Sequence, residues 1–251
     1  MFEQAYPVYT VITPQTGKRY QLRTLTVAEE KKLKGSLITP DKITEHVTSA
    51  LFDCIVEKPE DIKTYEDFIM YTTTHDRQAL LFGLFHVSYG EVTDFPIKCS
   101  HCGQDFKNTF TTESLAKITN YEGEESLLTK IVEVDLPITK LKAFVKQPTI
   151  RDEIITLKTS QSLPYQKDSI DDLVLVQKFT MGAKEWTDIA EKLTIYTKLP
   201  VRDKKLIWKA YKETFSQYTV EVKATAVCSF CKGESEIDID FMEVFFRLVL
   251  E

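Results

Sequence analysis

Apolar positions recur along this chain at two periods, and the switches between them mark out short elements. Val8, Tyr9, Val11 and Ile12 form one extended run and Tyr20 and Leu22 another, with Pro14-Gln15-Thr16-Gly17 between them, which predicts a β-hairpin. Thr26-Val27-Ala28-Glu29 then has the form of a capping box, so a helix is expected to start there and end near Gly35. Thr39-Pro40-Asp41 is a second helix start, and Ile43, Val47, Ala50, Leu51, Cys54 and Ile55 recur at three- and four-residue steps as its buried face. Lys58-Pro59-Glu60 closes it. A third helix is expected from Thr64, with Tyr65, Phe68, Ile69 and Tyr71 as its apolar positions. Asp76 to His86 is apolar almost all round, as in a helix buried between other elements.

The period then returns to two. Val92, Phe95 and Ile97 lead into a cysteine turn, and Phe106 and Phe110 lie on the strand leaving it. From Thr112 to Glu125 the chain is polar and acidic, and Asn120-Tyr121-Glu122-Gly123-Glu124-Glu125 is the candidate linker. Division there gives an α+β half, residues 1–125, and a helical half, residues 126–251. The second half opens with a strand pair, Ile131–Leu136 and the alternation Leu141, Ala143, Val145, broken by Pro137. Four helices are expected next. Thr149 and Asp152 cap the first, with Ile150, Ile154, Ile155 and Leu157; Ser169 and Asp172 cap the second, with Ile170, Leu173, Val174, Val176 and Phe179. Trp186, Ile189, Ala190, Leu193, Ile195 and Tyr196 mark the third, and Pro200 starts a fourth carrying Leu206, Ile207, Ala210, Tyr211 and Phe215. Val220, Val222, Ala224 and Ala226 alternate again before a second cysteine turn, which Glu236-Ile237-Asp238-Ile239-Asp240 leaves. The fold class expected is α+β, mostly helical with short β-hairpins.

Two of those hairpins carry the candidate chemistry, Cys99-Ser100-His101-Cys102-Gly103 and Cys228-Ser229-Phe230-Cys231-Lys232-Gly233. Two cysteines separated by two residues can aim both sulfurs at one ion, and a glycine just beyond supplies the positive φ that reverses the chain. Cys99, Cys102, Cys228 and Cys231 together make the four soft ligands of a closed, zinc-ribbon-like site, with structural Zn2+ as the expected cofactor. A shared zinc would tie the two halves together. A separate site for each pair, a disulfide or redox dithiol, and His101 in place of one sulfur are the alternatives. Cys54, the fifth cysteine, reads as a small buried hydrophobe. His75 and His86 lack a second ligand at metal spacing and read as capping, surface or hydrogen-bonded structural groups.

Composition narrows the function classes. An apolar content of 43% supports a real core, and no run of apolar residues is long enough to cross a membrane. The first residues, Met1-Phe2-Glu3-Gln4, do not read as a signal peptide, and five cysteines arranged as two pairs plus one suit a reducing cytoplasm. A net charge of −6 gives no global attraction to phosphate backbones, so nucleic acid is not an expected partner. Phosphate loops, dinucleotide turns, nucleophile elbows and zinc-protease helices are absent. Acidic pairs such as Glu29-Glu30 and Asp171-Asp172 sit at helix starts, where the helix dipole accounts for them. Four thiolates leave no open coordination position, so the metal is expected to hold the fold and the chain not to be an enzyme.

Several short stretches also resemble a known family. Pro7-x-Tyr9, Pro14-Gln15-Thr16-Gly17-Lys18 and Leu22-Arg23-Thr24-Leu25-Thr26-Val27-Ala28-Glu29-Glu30-Lys31 resemble the start of the baseplate hub subunits of T4-like contractile-tailed bacteriophages. Cys54-Ile55-Val56, Val87-Ser88-Tyr89-Gly90-Glu91, Leu199-Pro200-Val201-Arg202-Asp203, the two cysteine pairs and Phe245-Phe246-Arg247 are similar in order, whereas residues 150–200 match nothing residue by residue. The resemblance implies a structural protein or assembly chaperone of the tail baseplate hub. Its partners would be other hub or tape-measure proteins, and it would sit in the host cytoplasm during assembly or in the virion tail. No site residue beyond the four cysteines carries over. The apolar C-terminal run, with Phe241, Phe245, Phe246 and Leu248, would pack on the protein's own core or meet a partner. A zinc-ribbon nucleic-acid binder is the alternative reading, followed by an enzyme of unrecognised type and a host adaptor.

Overall fold

The computed structural model describes residues 6–36, 43–112, 115–161 and 172–238. The expected helix start at Thr39-Pro40-Asp41, the Ser169-Ile170 cap and the run from Phe241 to Leu248 lie outside these residues.

Strands β1 (Val8–Ile12) and β2 (Arg19–Arg23) form the predicted hairpin, Val8 opposite Arg23 and Ile12 opposite Arg19. Its alternation turns Val11, Tyr20 and Leu22 inward. Helix α1 (Val27–Ser36) starts on the expected capping box: the Thr26 N–H donates to Glu29 Oε2 at 2.8 Å and the Glu29 N–H to Thr26 Oγ1 at 3.3 Å. Arg23 Nη2 also meets Glu29 at 2.6 Å, and this partner holds the Glu29 carboxyl at about 2.

Helix α2 (Ile43–Asp53) stops before Cys54, and strand β3 (Ile55–Glu57) pairs with β2 instead of continuing the helix as the spacing predicted. The open edge of β2 offers ladder hydrogen bonds, and the β-branched Ile55-Val56 favours taking them. Helix α3 (Tyr65–Tyr71) is capped by Thr64 and Asp67. Helix α4 (Thr74–Tyr89), capped by Thr73, is the expected central helix, with every residue from Ala79 to Phe85 buried. Strands β4 (Glu91–Lys98) and β5 (Asp105–Thr111) pair out to Lys98 opposite Asp105, and β6 (Ala116–Ile118) arises where polar loop was expected.

A four-stranded antiparallel sheet follows, in the order β10-β9-β8-β7. Strands β7 (Ile131–Leu136) and β8 (Leu141–Lys146) are the predicted pair. Helix α5 (Ile150–Gln161) has the expected Thr149–Asp152 cap. The helix expected through Val176 and Phe179 is strand β9 (Val176–Met181), and Trp186 ends strand β10 (Lys184–Trp186) rather than entering a helix. Val176, Phe179 and Thr180 are buried while Gln177 and Met181 are exposed, and the register shift of β8 against β9 breaks the strict alternation that would betray a strand. Helices α6 (Ile189–Tyr196) and α7 (Val201–Tyr211) pack against the sheet, and α7 loosens into a π-turn over Lys212–Ser216. The chain then returns as β11 (Val220–Val227) and β12 (Glu234–Asp238), in a sheet ordered β12-β11-β6. The class is α+β, with more strand in the second half than a mostly helical reading allows.

The buried residues fall into two clusters. One holds Val11, Leu22, Leu51, Phe68, Leu80, Phe85, Phe110 and, from the far end of the chain, Val220, Val222, Ala224, Ala226 and Cys228. The other is built from residues between Leu127 and Phe215, including Val145, Phe179, Leu193, Ile207 and Tyr211. Antiparallel pairing of β6 with β11 marks where the chain leaves the first cluster and comes back.

A buried polar network joins the two clusters. Asp76 Oδ1 accepts the Gln15 N–H at 2.8 Å and Oδ2 the Thr16 hydroxyl at 2.7 Å. The Gln15 side chain donates to Gln147 Oε1 at 3.2 Å and to the Phe215 carbonyl at 3.0 Å. Tyr211 donates to the same Gln147 oxygen at 3.3 Å, and His75 Nε2 lies 2.9 Å from the Tyr211 hydroxyl. Burial pushes His75 down to about 4, so it is neutral at pH 7 and serves as the hydrogen-bonded structural group expected of it. His86 meets the Thr112 hydroxyl in the same kind of role. Among the described residues, no helix is long and apolar enough to cross a membrane.

Candidate metal centre

Strand alternation places the first cysteine of each pair. At the end of β4, Ile97 and the next alternate residue, Cys99, are buried while Lys98 between them is exposed; past β11 the run Val220, Val222, Ala224, Ala226 continues to buried Cys228. The second cysteine of each pair, Cys102 or Cys231, comes round the turn and is exposed. Each hairpin thus offers one inner and one outer sulfur.

The two turns are built alike. The Cys99 N–H donates to the Gln104 carbonyl at 2.9 Å and the Gly103 N–H to the Cys99 carbonyl at 3.0 Å; the Cys228 and Lys232 N–H groups make the matching bonds to Gly233 and Cys228 at 3.0 Å. Gly103 takes the expected positive φ of 74°, but in the second turn that conformation falls on Lys232, at 61°. Gly233 serves another purpose. A Cβ there would lie 2.6 Å from His101 Cδ2. Only a glycine lets the His101 ring lie on the second turn, where its Nε2 donates to the Glu234 carbonyl at 2.8 Å. That bond links the hairpins, and His101 is not in the group of ligand atoms that come together. Ser100 and Ser235 add a second link, hydroxyl to hydroxyl at 3.0 Å.

The four sulfurs gather at one point. Cys99 Sγ is 3.6 Å from Cys231 Sγ, Cys102 Sγ is 3.8 Å from Cys228 Sγ, and all four lie within 4.8 Å of one another. A tetrahedral ion about 2.3 Å from each sulfur needs sulfur–sulfur edges of about 3.8 Å, whereas a disulfide needs about 2.05 Å. The residues present therefore fit zinc. Backbone N–H groups of Cys102 and then His101 bring Cys99 down to about 6. The Gln104 N–H favours the Cys102 thiolate, yet the neighbouring sulfurs of Cys231, Cys99 and Cys228 push that thiol up to about 12. Four thiolates this close repel one another unless a cation sits among them.

Gly233→Ala drives a methyl into the His101 ring and breaks its bond to Glu234. Denaturant titration is expected to show a loss of about 1–2 kcal/mol. With His101→Ala in place the same change is expected to cost much less, because the collision is gone.

Cys54 stands apart from this cluster. Burial lifts its thiol to about 12, in keeping with its reading as a core residue. Asp203 is a buried anchor that sequence patterning missed. Its carboxylate accepts the Thr139 N–H and hydroxyl at 2.9 Å each and the Ile138 N–H at 3.3 Å, pinning the β7–β8 turn to the start of α7. An acid in the first turn of a helix was the available signal, but its partner is distant in sequence.

The site and fold define an α+β protein in which two strand–turn–strand hairpins from distant parts of the chain meet at a four-cysteine cluster. The chain belongs to the T4 bacteriophage base plate protein family, whose profile matches residues 6–247, both hairpins included. No curated protein and no solved structure gives a significant match.

Proposed function

We propose that this chain is a non-enzymatic structural or assembly protein of the phage tail baseplate hub, acting through contacts with other hub or tape-measure proteins. The family match over residues 6–247 carries this reading, because it spans both cores and both hairpins. A structural zinc on Cys99, Cys102, Cys228 and Cys231 would pin the point at which the chain returns to its first core. With four sulfur ligands it would leave no position for water or substrate. The protein would meet its partners in the host cytoplasm during assembly and reside in the virion tail if it stays in the hub.

A phage lacking the gene, complemented from a plasmid, tests the reading. Electron microscopy is expected to show tail assembly halted before a complete hub, with restoration on complementation. Normal hubs without the protein would overturn it. Mass spectrometry of purified virions then separates a resident subunit from a transient assembly factor.

A further inference from the structure

Helix α7 turns one face inward and loads the other with cations. Asp203, Ile207 and Tyr211 are buried. On the opposite face, Val201, Lys204, Lys205, Trp208, Lys209, Lys212 and Glu213 line a shallow groove of about 680 Å³. Val201 is 68% exposed. The cations exceed the acids here although the chain as a whole carries −6. Of the two acids in the segment, Asp203 is committed to the β7–β8 turn and Glu213 lies 3.8 Å from Lys209. Lys204 is paired with Asp172, and Lys212 lies 5.9 Å from the centre of the Trp208 ring. Arg202 and Lys205 are exposed on the same helix.

We infer that this face docks an acidic protein segment, with carboxylates meeting Lys205, Lys209 and Lys212 and a large apolar side chain covering Val201 and Trp208. Charge complementarity sets the sign of the partner, and the exposed Val201 beside Trp208 calls for an apolar anchor among its acids. A nucleic acid fits less well. Its phosphates would find cations over one helix of about 16 Å and meet repulsion from the rest of the chain. The inference goes beyond the hub reading and does not depend on it.

The test is fluorescence anisotropy of a labelled glutamate-rich peptide with leucines at helical spacing, titrated with the full-length protein. Binding is expected, weakening as salt rises, and K205E/K212E is expected to reduce affinity at least about tenfold while leaving the thermal melt unchanged. A matched peptide with glutamine for glutamate is expected not to bind. Absence of peptide binding, equal binding by K205E/K212E, or tighter binding of a DNA duplex at the same salt would each overturn the inference.

Discussion

Replacing Cys231 with serine is expected to cost at least about 4 kcal/mol of folding stability, although its side chain is exposed. A surface cysteine with no role tolerates serine within about 0.5 kcal/mol. The large value follows only if its sulfur helps hold a metal whose binding free energy is coupled to folding. Cys99→Ser is expected to cost as much, for the same reason, since each variant leaves three sulfurs and an incomplete shell. Cys54→Ala supplies the comparison. Cys54 is fully buried but makes no metal contact, so cavity formation alone predicts a loss of about 1–3 kcal/mol. Urea titrations of the three variants decide the matter, and equal, small losses at all of them would sink the zinc account.

The second large effect is expected at Asp76. Its side chain has no exposure to solvent and receives donors from Gln15 and Thr16, while its own N–H is held by Thr73 at 3.0 Å. Burial pushes its carboxyl upward, and the Thr16 and Gln15 hydrogen bonds oppose that shift. Asp76→Ala strands a buried N–H and a hydroxyl without an acceptor, and is expected to cost about 3–5 kcal/mol. Asp76→Asn keeps one acceptor oxygen and is expected to cost about half as much. Because Gln15 also reaches Gln147 and the Phe215 carbonyl, loosening its loop should be felt in the second core. Hydrogen exchange of β8 and the π-turn tests this. Unchanged protection there would confine Asp76 to a local role.

Local signals in the sequence were good guides where the physics is local. The Thr26–Glu29 and Thr149–Asp152 caps rest on side chains three residues apart, each starts a helix, and the third helix follows Thr64 as expected. The cysteine spacing pointed to one four-sulfur cluster, and the sulfurs do gather at one point. Errors came where the partner decides the structure. Val176 and Phe179 stand three residues apart with polar Gln177 and Lys178 between them, a spacing that fits a helix face, and the register shift of β8 against β9 breaks the strict alternation of a strand. The clue lay next door: Gly182-Ala183 is a two-residue hairpin turn, with Gly182 at a φ of 61° and Met181 opposite Lys184. Ile55–Glu57 became a strand because β2 presents an open edge, a fact stated nowhere near residue 55. Lys232 holds the positive φ that Gly233 was expected to hold, and Gly233 instead leaves room for a histidine from the other hairpin. The network of Gln15, Asp76, Gln147 and Tyr211 carries no pattern at all, since its members are brought together only by the meeting of two cores.

Native mass spectrometry of the purified protein, before and after a strong chelator, tests the central claim most directly. One zinc per chain is expected, with unfolding when it is removed. A chain that carries no metal, keeps all five thiols free and remains folded through chelation would contradict the account.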